Sequence, residues 1–236
     1  LIVVDNGWKL NAVKGRIGST DLSLDALISN QAGLSGTDVR MSVNGTDLNT
    51  LLVKKGEPGL PSGAFETSAR VVWSDSTLSI KGFNFETINA TGKLDLEFGW
   101  PFDSSKNIDF NVNVRGDDIR NFLPQTDSFE ATMAAFKINA VGNSKGELLT
   151  IKQFESNIGN LLVSLTGELD DETGSDQMEV TFNIYSDDIS TLGRLHGKPL
   201  PTLPLDIKAD FKGNTRKFIL PNLVGLLGKS KLNGEL

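Results

Sequence analysis

Three pairs of adjacent carboxylates, Asp117-Asp118, Asp170-Asp171 and Asp187-Asp188, are the residues of this chain best placed to do chemistry. Neighbouring acids can act as general acid and base, or as oxygen ligands for Ca²⁺. Two of the pairs are followed by Ile and recur at one position of a repeat, which an N-cap explains. There the carboxylate accepts from free N–H groups of a first helical turn. The run Asp170-Asp-Glu-Thr-Gly-Ser-Asp176 lacks the Gly and Glu placement of an EF-hand loop and reads as a solvated turn. His196 is the single His, in the loop-like Arg194-Leu-His-Gly-Lys198, and there is no Cys. Multi-His metal sites, thiolate sites and disulfides therefore drop out, and a His-based triad would have to use His196, which reads as an ordinary exposed loop residue. Gly142-Asn-Ser-Lys-Gly146 lacks the Gly-Lys-Ser/Thr ending of a phosphate loop and sits between strands, so it reads as a hairpin turn. No catalytic set recurs. The expectation is a non-enzymatic protein with no cofactor and no metal.

Composition narrows the classes further. The 236 residues are 38% hydrophobic and 22% charged, as in globular proteins rather than disordered ones. A net charge of −7 argues against nucleic acid as partner. No apolar run approaches the ~18 residues of a membrane span. The chain opens in the strand-like Leu1-Ile-Val-Val4 and stops in another strand-like run at Leu236. It is expected to be a segment of a longer protein.

The elements that position these residues repeat. Val43-Asn-Gly-Thr-Asp-Leu-Asn-Thr-Leu-Leu52, Val114-Arg-Gly-Asp-Asp-Ile-Arg-Asn-Phe-Leu123 and Ile184-Tyr-Ser-Asp-Asp-Ile-Ser-Thr-Leu192 share a pattern, with Leu48, Ile119 and Ile189 spaced by 71 and 70 residues. An alternating strand precedes each motif: Val39, Met41, Val43; Ile108, Phe110, Val112, Val114; Met178, Val180, Phe182, Ile184. A second strand follows, over Phe65 to Trp73, Thr132 to Ala140 and Leu203 to Phe211. A third begins at Leu78, Leu149 and Phe218. In it Phe83, Phe154 and Leu223 fall one place out of phase, as at a β-bulge. A fourth covers Ala90 to Leu96, Leu161 to Leu169 and Gly228 to Leu236. Each motif predicts a short capped helix, with Ile119, Phe122 and Leu123 on one face before Pro124. The predicted organisation is the end of a preceding repeat over 1–35, then repeats over 36–106, 107–176 and 177–236.

Alternation gives every strand one oily and one wet face. The inward candidates are Val43, Phe65, Val71, Trp73, Leu94, Leu96, Phe110, Val112, Val114, Phe136, Ile138, Leu161, Val163, Leu165, Phe182, Ile184, Ile207, Phe211 and Leu232. The predicted fold is mainly β: a long, twisted and curved, largely antiparallel sheet bent into a U-shaped groove, four or five strands and one short helix per repeat. About fourteen strands at ~4.8 Å give ~65 Å of sheet, with strands ~33 Å long. The trough would suit an acyl chain. A closed β-sandwich core, in a structural or assembly factor, fits the alternation equally well.

The helix-start motif, the linker Leu200-Pro-Thr-Leu-Pro-Leu205 and the closing Leu226-Leu-Gly-Lys-Ser-Lys-Leu-Asn-Gly-Glu-Leu236 together resemble the AsmA-like family of bacterial envelope proteins. The stretch Ile151 to Leu169 has the same look, and the likeness covers the whole chain as a pattern. The resemblance implies a repeating β-groove of the bridge-like lipid transfer type. It also implies a periplasmic location, tethered to the inner membrane by an N-terminal helix outside this segment. The ligand it implies is phospholipid acyl chains passing toward the outer membrane, in support of outer-membrane integrity. It names no partner protein.

Overall fold

In the computed structural model, residues 1–47, 63–100, 107–122, 128–170, 177–214 and 217–234 are described. The strands are β1 (Ile2–Val4), β2 (Gly7–Ile17), β3 (Thr20–Ser29), β4 (Asp38–Gly45), β5 (Phe65–Trp73), β6 (Thr77–Thr87), β7 (Ala90–Gly99), β8 (Asn107–Gly116), β9 (Phe129–Ala131) and β10 (Phe136–Lys145). They continue with β11 (Leu148–Ile158), β12 (Leu161–Asp170), β13 (Gln177–Ser186), β14 (Gly193–Leu195), β15 (Lys198–Pro199), β16 (Leu205–Gly213), β17 (Phe218–Ile219), β18 (Leu223–Leu227) and β19 (Ser230–Gly234). The protein is mainly β. Sixteen strands form one antiparallel sheet in the order β1-β2-β3-β4-β5-β6-β7-β8-β10-β11-β12-β13-β16-β18-β19, with β17 beside β16. The order has two ends and does not close into a barrel. The chain divides into two compact units, Leu1–Val112 and Asn113–Leu236, and the division falls inside β8.

In the first unit, short turns join β2 to β3, β5 to β6 and β6 to β7, and the link between β3 and β4 carries a three-residue 3-10 turn, Ala32–Leu34; the connection from β4 to β5 lies largely outside the described residues. A bulge interrupts the β2–β3 register between Leu10 and Val13, and another the β6–β7 register between Ile80 and Phe83. The two bulges are built alike. Ala12 and Gly82 both take a left-handed φ, at 49° and 58°. The N–H of Ala12 donates to Asp25 Oδ1 at 2.8 Å, and the N–H of Gly82 to Asp95 Oδ1 at 2.5 Å. A bulge leaves an amide outside the ladder, and here a carboxylate on the neighbouring strand takes it.

In the second unit, β11 and β12 carry the matching bulge between Ile151 and Phe154. The phase slips at Phe83 and Phe154 thus mark real bulges. The slip at Leu223 has another form: the strand breaks into β17 and β18 around Pro221-Asn222. Proline has no N–H to give to a ladder, and Asn222 Nδ2 instead donates to Asp210 Oδ2 at 2.6 Å.

The expected second strand and turn of the middle repeat need correction. Gly142-Asn-Ser144 is not a turn: β10 begins at Phe136 rather than Thr132 and runs through to Lys145, with the register shift at Val141/Gly142 and the turn at Gly146. A strand-interior glycine marks the irregularity, not the end. The predicted short helices are 3-10 turns of three residues, Ile119–Asn121 and Ile189–Thr191. Nucleation cost keeps them this short, yet Ile119 is buried and Phe122 packs against Phe136. The first motif's Leu48 and the second's Leu123 lie outside the described residues. Asp118 and Asp188, the second acid of each pair, supply the caps, accepting from Arg120 N at 3.1 Å and Ser190 N at 2.9 Å.

The second unit also holds a small antiparallel sheet, β15-β14-β9, that the sequence did not disclose. It joins the connection after β8 to the connection after β13. Gly193 sits against Glu130 so closely that a Cβ would lie 2.1 Å from its carbonyl oxygen, which requires glycine there. His196 and Gly197 turn β14 into β15 with φ of 49° and 74°, the backbone of a two-residue primed turn.

Candidate functional site: an uncharged apolar face

Residues directly opposite one another in an antiparallel ladder point to the same side, so the register assigns each side chain to a face. In the first unit one row reads Leu22, Val43, Thr67, Phe85, Gly92 across β3 to β7. Others read Ala26, Val39, Val71, Ile80, Leu96 and, farther along, Trp73, Leu78, Phe98. Phe65 stands between Gly45 and Thr87, and Leu94 opposite Phe83. The candidates Val43, Phe65, Val71, Trp73, Leu94 and Leu96 therefore share one face of this unit.

In the second unit the rows are longer. Phe136, Ile158, Leu161, Ser186, Leu205 and Leu227 form one. Ile138, Ser156, Val163, Ile184, Ile207, Gly225 and Leu232 form the next. Ala140, Phe154, Leu165, Phe182 and Ala209 follow, then Gly142, Ile151, Gly167, Val180 and Phe211. Phe110, Val112 and Val114 alternate in β8 with Asn113, whose side chain donates to Asn139 on the opposite face. Those three candidates thus point away from the polar side.

Among the paired residues of these ladders, no charged side chain stands on the apolar face. The other face carries the charges. Arg70 grips Asp38 with two contacts of 2.9 and 2.7 Å, Arg16 pairs with Asp21 at 2.6 Å, and Lys212 with Glu179 at 2.5 Å. The Arg70 guanidinium holds the Asp38 carboxyl below the usual range. Exposed pairs of this kind add little stability each; they keep that face in water.

Most side chains of the apolar face are half-buried rather than sealed. Of the nineteen candidates, only Phe65, Val71 and Phe136 are buried, with 6%, 9% and 4% of their surface accessible, while Leu232 keeps 43%. The rest are half-buried. Phe136 is covered because the connection after β8 folds back: Phe122 meets it edge-on at 5.1 Å, beside Ile119, which is also buried.

Two of the three carboxylate pairs make structural contacts. Asp118 caps its turn and binds the Arg120 guanidinium at 2.6 Å, which lowers its pKa. Asp187 accepts from the Tyr185 hydroxyl, and this raises the tyrosine's pKa. Asp170 ends β12 and Asp171 lies outside the described residues. Among the described residues no three His, Asp or Glu gather to hold a metal ion, and no helix is long and apolar enough to cross a membrane.

Residues missed by pattern reading include the hydroxyls at Thr67 and Ser156, which stand on the apolar face. Their signal was a polar side chain in the inward phase of an otherwise apolar strand. Compared with known proteins, the chain matches no family model, no curated protein and no solved structure.

Proposed function

We propose that this chain is a segment of a lipid-carrying protein whose apolar face takes acyl chains. The observation that carries this reading is the register-matched apolar face, free of charge at its paired positions, whose side chains stay half-buried. A protein core would seal such side chains. Left open to water they are a cost that a hydrocarbon ligand removes. The resemblance to AsmA-like envelope proteins supports the finer assignment: a periplasmic bridge, tethered to the inner membrane, that carries phospholipid toward the outer membrane and has no catalytic role.

The test is site-specific photo-crosslinking in cells. Probes at Ile138, Val163 and Leu165 should capture lipid, and probes at Ser164 and Glu168 should not. Equal labelling of both sets, or capture of protein alone at the inward positions, would replace the lipid reading with a protein-sealed β-sandwich of structural function.

A further inference from the structure

Thr67 Oγ1, Trp73 Nε1 and Ser156 Oγ are the buried side-chain polar atoms without a hydrogen-bond partner among the described residues. All three belong to residues on the apolar face, and all three are donors. Ser156 is the most enclosed, with 4% of its surface accessible. It lies between Ile138 and Val163 across the strands, with Phe154 and Ile158 two residues away on its own strand. A small hydroxyl among four larger apolar side chains is the floor of a dimple. Thr67 has the same setting in the first unit, with Val43 and Phe85 across and Phe65 beside it. Val43-Thr67-Phe85 and Ile138-Ser156-Val163 are comparable rows of successive repeats, so the donor recurs one strand over.

An orphaned buried donor is expensive, and native proteins keep few of them. Valine or alanine would fill either position without that cost. Donors on a face with no charged side chain at its paired, described positions point to a ligand that brings acceptors along with its hydrocarbon. We infer that the apolar face recognises ester-linked acyl lipids, with Ser156 and Thr67 donating to acyl carbonyl oxygens. A carbonyl next to an acyl chain is the acceptor that can enter an apolar dimple with little desolvation cost. This inference rests on the lipid reading above and narrows it from any hydrocarbon to acyl esters.

Native mass spectrometry of the whole chain, incubated with dipalmitoyl phosphatidylcholine or with its dihexadecyl ether counterpart, tests it. Headgroup and chain length are the same, and only the carbonyls differ. The wild-type protein should prefer the ester by about tenfold, the worth of one modest hydrogen bond. Ser156→Ala with Thr67→Val should bring the ratio near one while ether binding stays unchanged. Neither substitution strands a partner, and each single variant gives an intermediate ratio if both donors act. Equal binding of the two lipids by the wild-type protein, or a preference that survives in the double variant, overturns the ester inference and leaves the lipid reading standing; the hydroxyls would then hold water alone. Binding of neither lipid overturns both.

Discussion

Leu165 and Thr166 are adjacent on β12 and face opposite ways, so the same new carboxylate at each should have opposite consequences. Leu165 stands between Phe154 and Phe182 on the apolar face and is half-buried. A fully buried leucine contributes about 2–3 kcal/mol, so half-burial puts the transfer loss in Leu165→Asp near ~1 kcal/mol. Aspartate's poor strand propensity adds up to ~1 kcal/mol more. The sum stays well inside the ~5–15 kcal/mol that holds a typical fold, and the variant should fold. Its lipid binding should not survive. A carboxylate pressed against an acyl chain loses its hydration without a partner, at a cost of several kcal/mol, or more than ~100-fold in affinity at that row.

Thr166 is the control the repeat supplies. It opposes the bulge between Ile151 and Phe154, as Asp25 and Asp95 oppose the bulges that hold Ala12 and Gly82. Thr166→Asp therefore places a carboxylate where two other repeats already keep one. Its stability should change by less than ~0.5 kcal/mol, and lipid capture should be unaltered. Urea unfolding and native mass spectrometry with phospholipid measure both quantities. Equal loss of lipid in the two variants, or lipid retained by Leu165→Asp, would refute the assignment of faces to function.

Ala12→Gly should stabilise the first unit by about 0.5–1 kcal/mol, because an L-residue in the left-handed region costs ~1–2 kcal/mol and glycine gives part of that back as chain entropy. Gly82→Ala should destabilise it by a similar amount, with urea midpoints as the readout for both. His196→Asn should raise stability by about a few tenths of a kcal/mol, read as a higher urea midpoint, since Asn-Gly suits the primed turn between β14 and β15 better than His-Gly. Asp210 accepts from Asn222 and from Thr181 at 2.7 Å, and these bonds lower its pKa, the Asn222 bond most. Its contribution is therefore present above the ordinary aspartate value of ~3.9 and lost as pH falls through the lower folded value. Thermal melts of Asp210→Asn against wild type should differ at pH 7 and converge in acid.

Where side chains alternate, the sequence was sufficient. A period of two survives any amount of bending, so the strands and the two faces could be read from Phe136, Ile138 and Leu161, Val163, Leu165 alone. Bulges were legible too, since one extra residue flips the phase, as at Phe83 and Phe154. Short-range geometry was not. β9, β14 and β15 have two or three residues each, too few to show a period. They exist because two connections from successive repeats lie side by side, which is a tertiary fact. The Asp-Asp-Ile motif announced a cap but not the length of what it caps. Thr67 and Ser156 looked like ordinary exceptions in apolar strands; only the missing hydrogen-bond partners distinguish them.

A single sheet stabilises itself mainly edge to edge. Cross-strand neighbours such as Phe154, Leu165 and Phe182 stand side by side and are half-buried. Each such residue thus delivers about half of the ~2–3 kcal/mol that full burial yields. The remainder is available to whatever lies on the face. A ligand that takes it binds the folded chain and not the unfolded one, so occupancy must raise stability by mass action, about 2.7 kcal/mol at a hundredfold excess over Kd. The same arithmetic explains the division of labour between the faces. Charges on the apolar side would be desolvated with every chain bound, whereas Arg70–Asp38 and Lys212–Glu179 on the other side remain hydrated whether the apolar side is empty or full. On the proposed lipid reading, binding and release would leave the contacts of the charged face undisturbed.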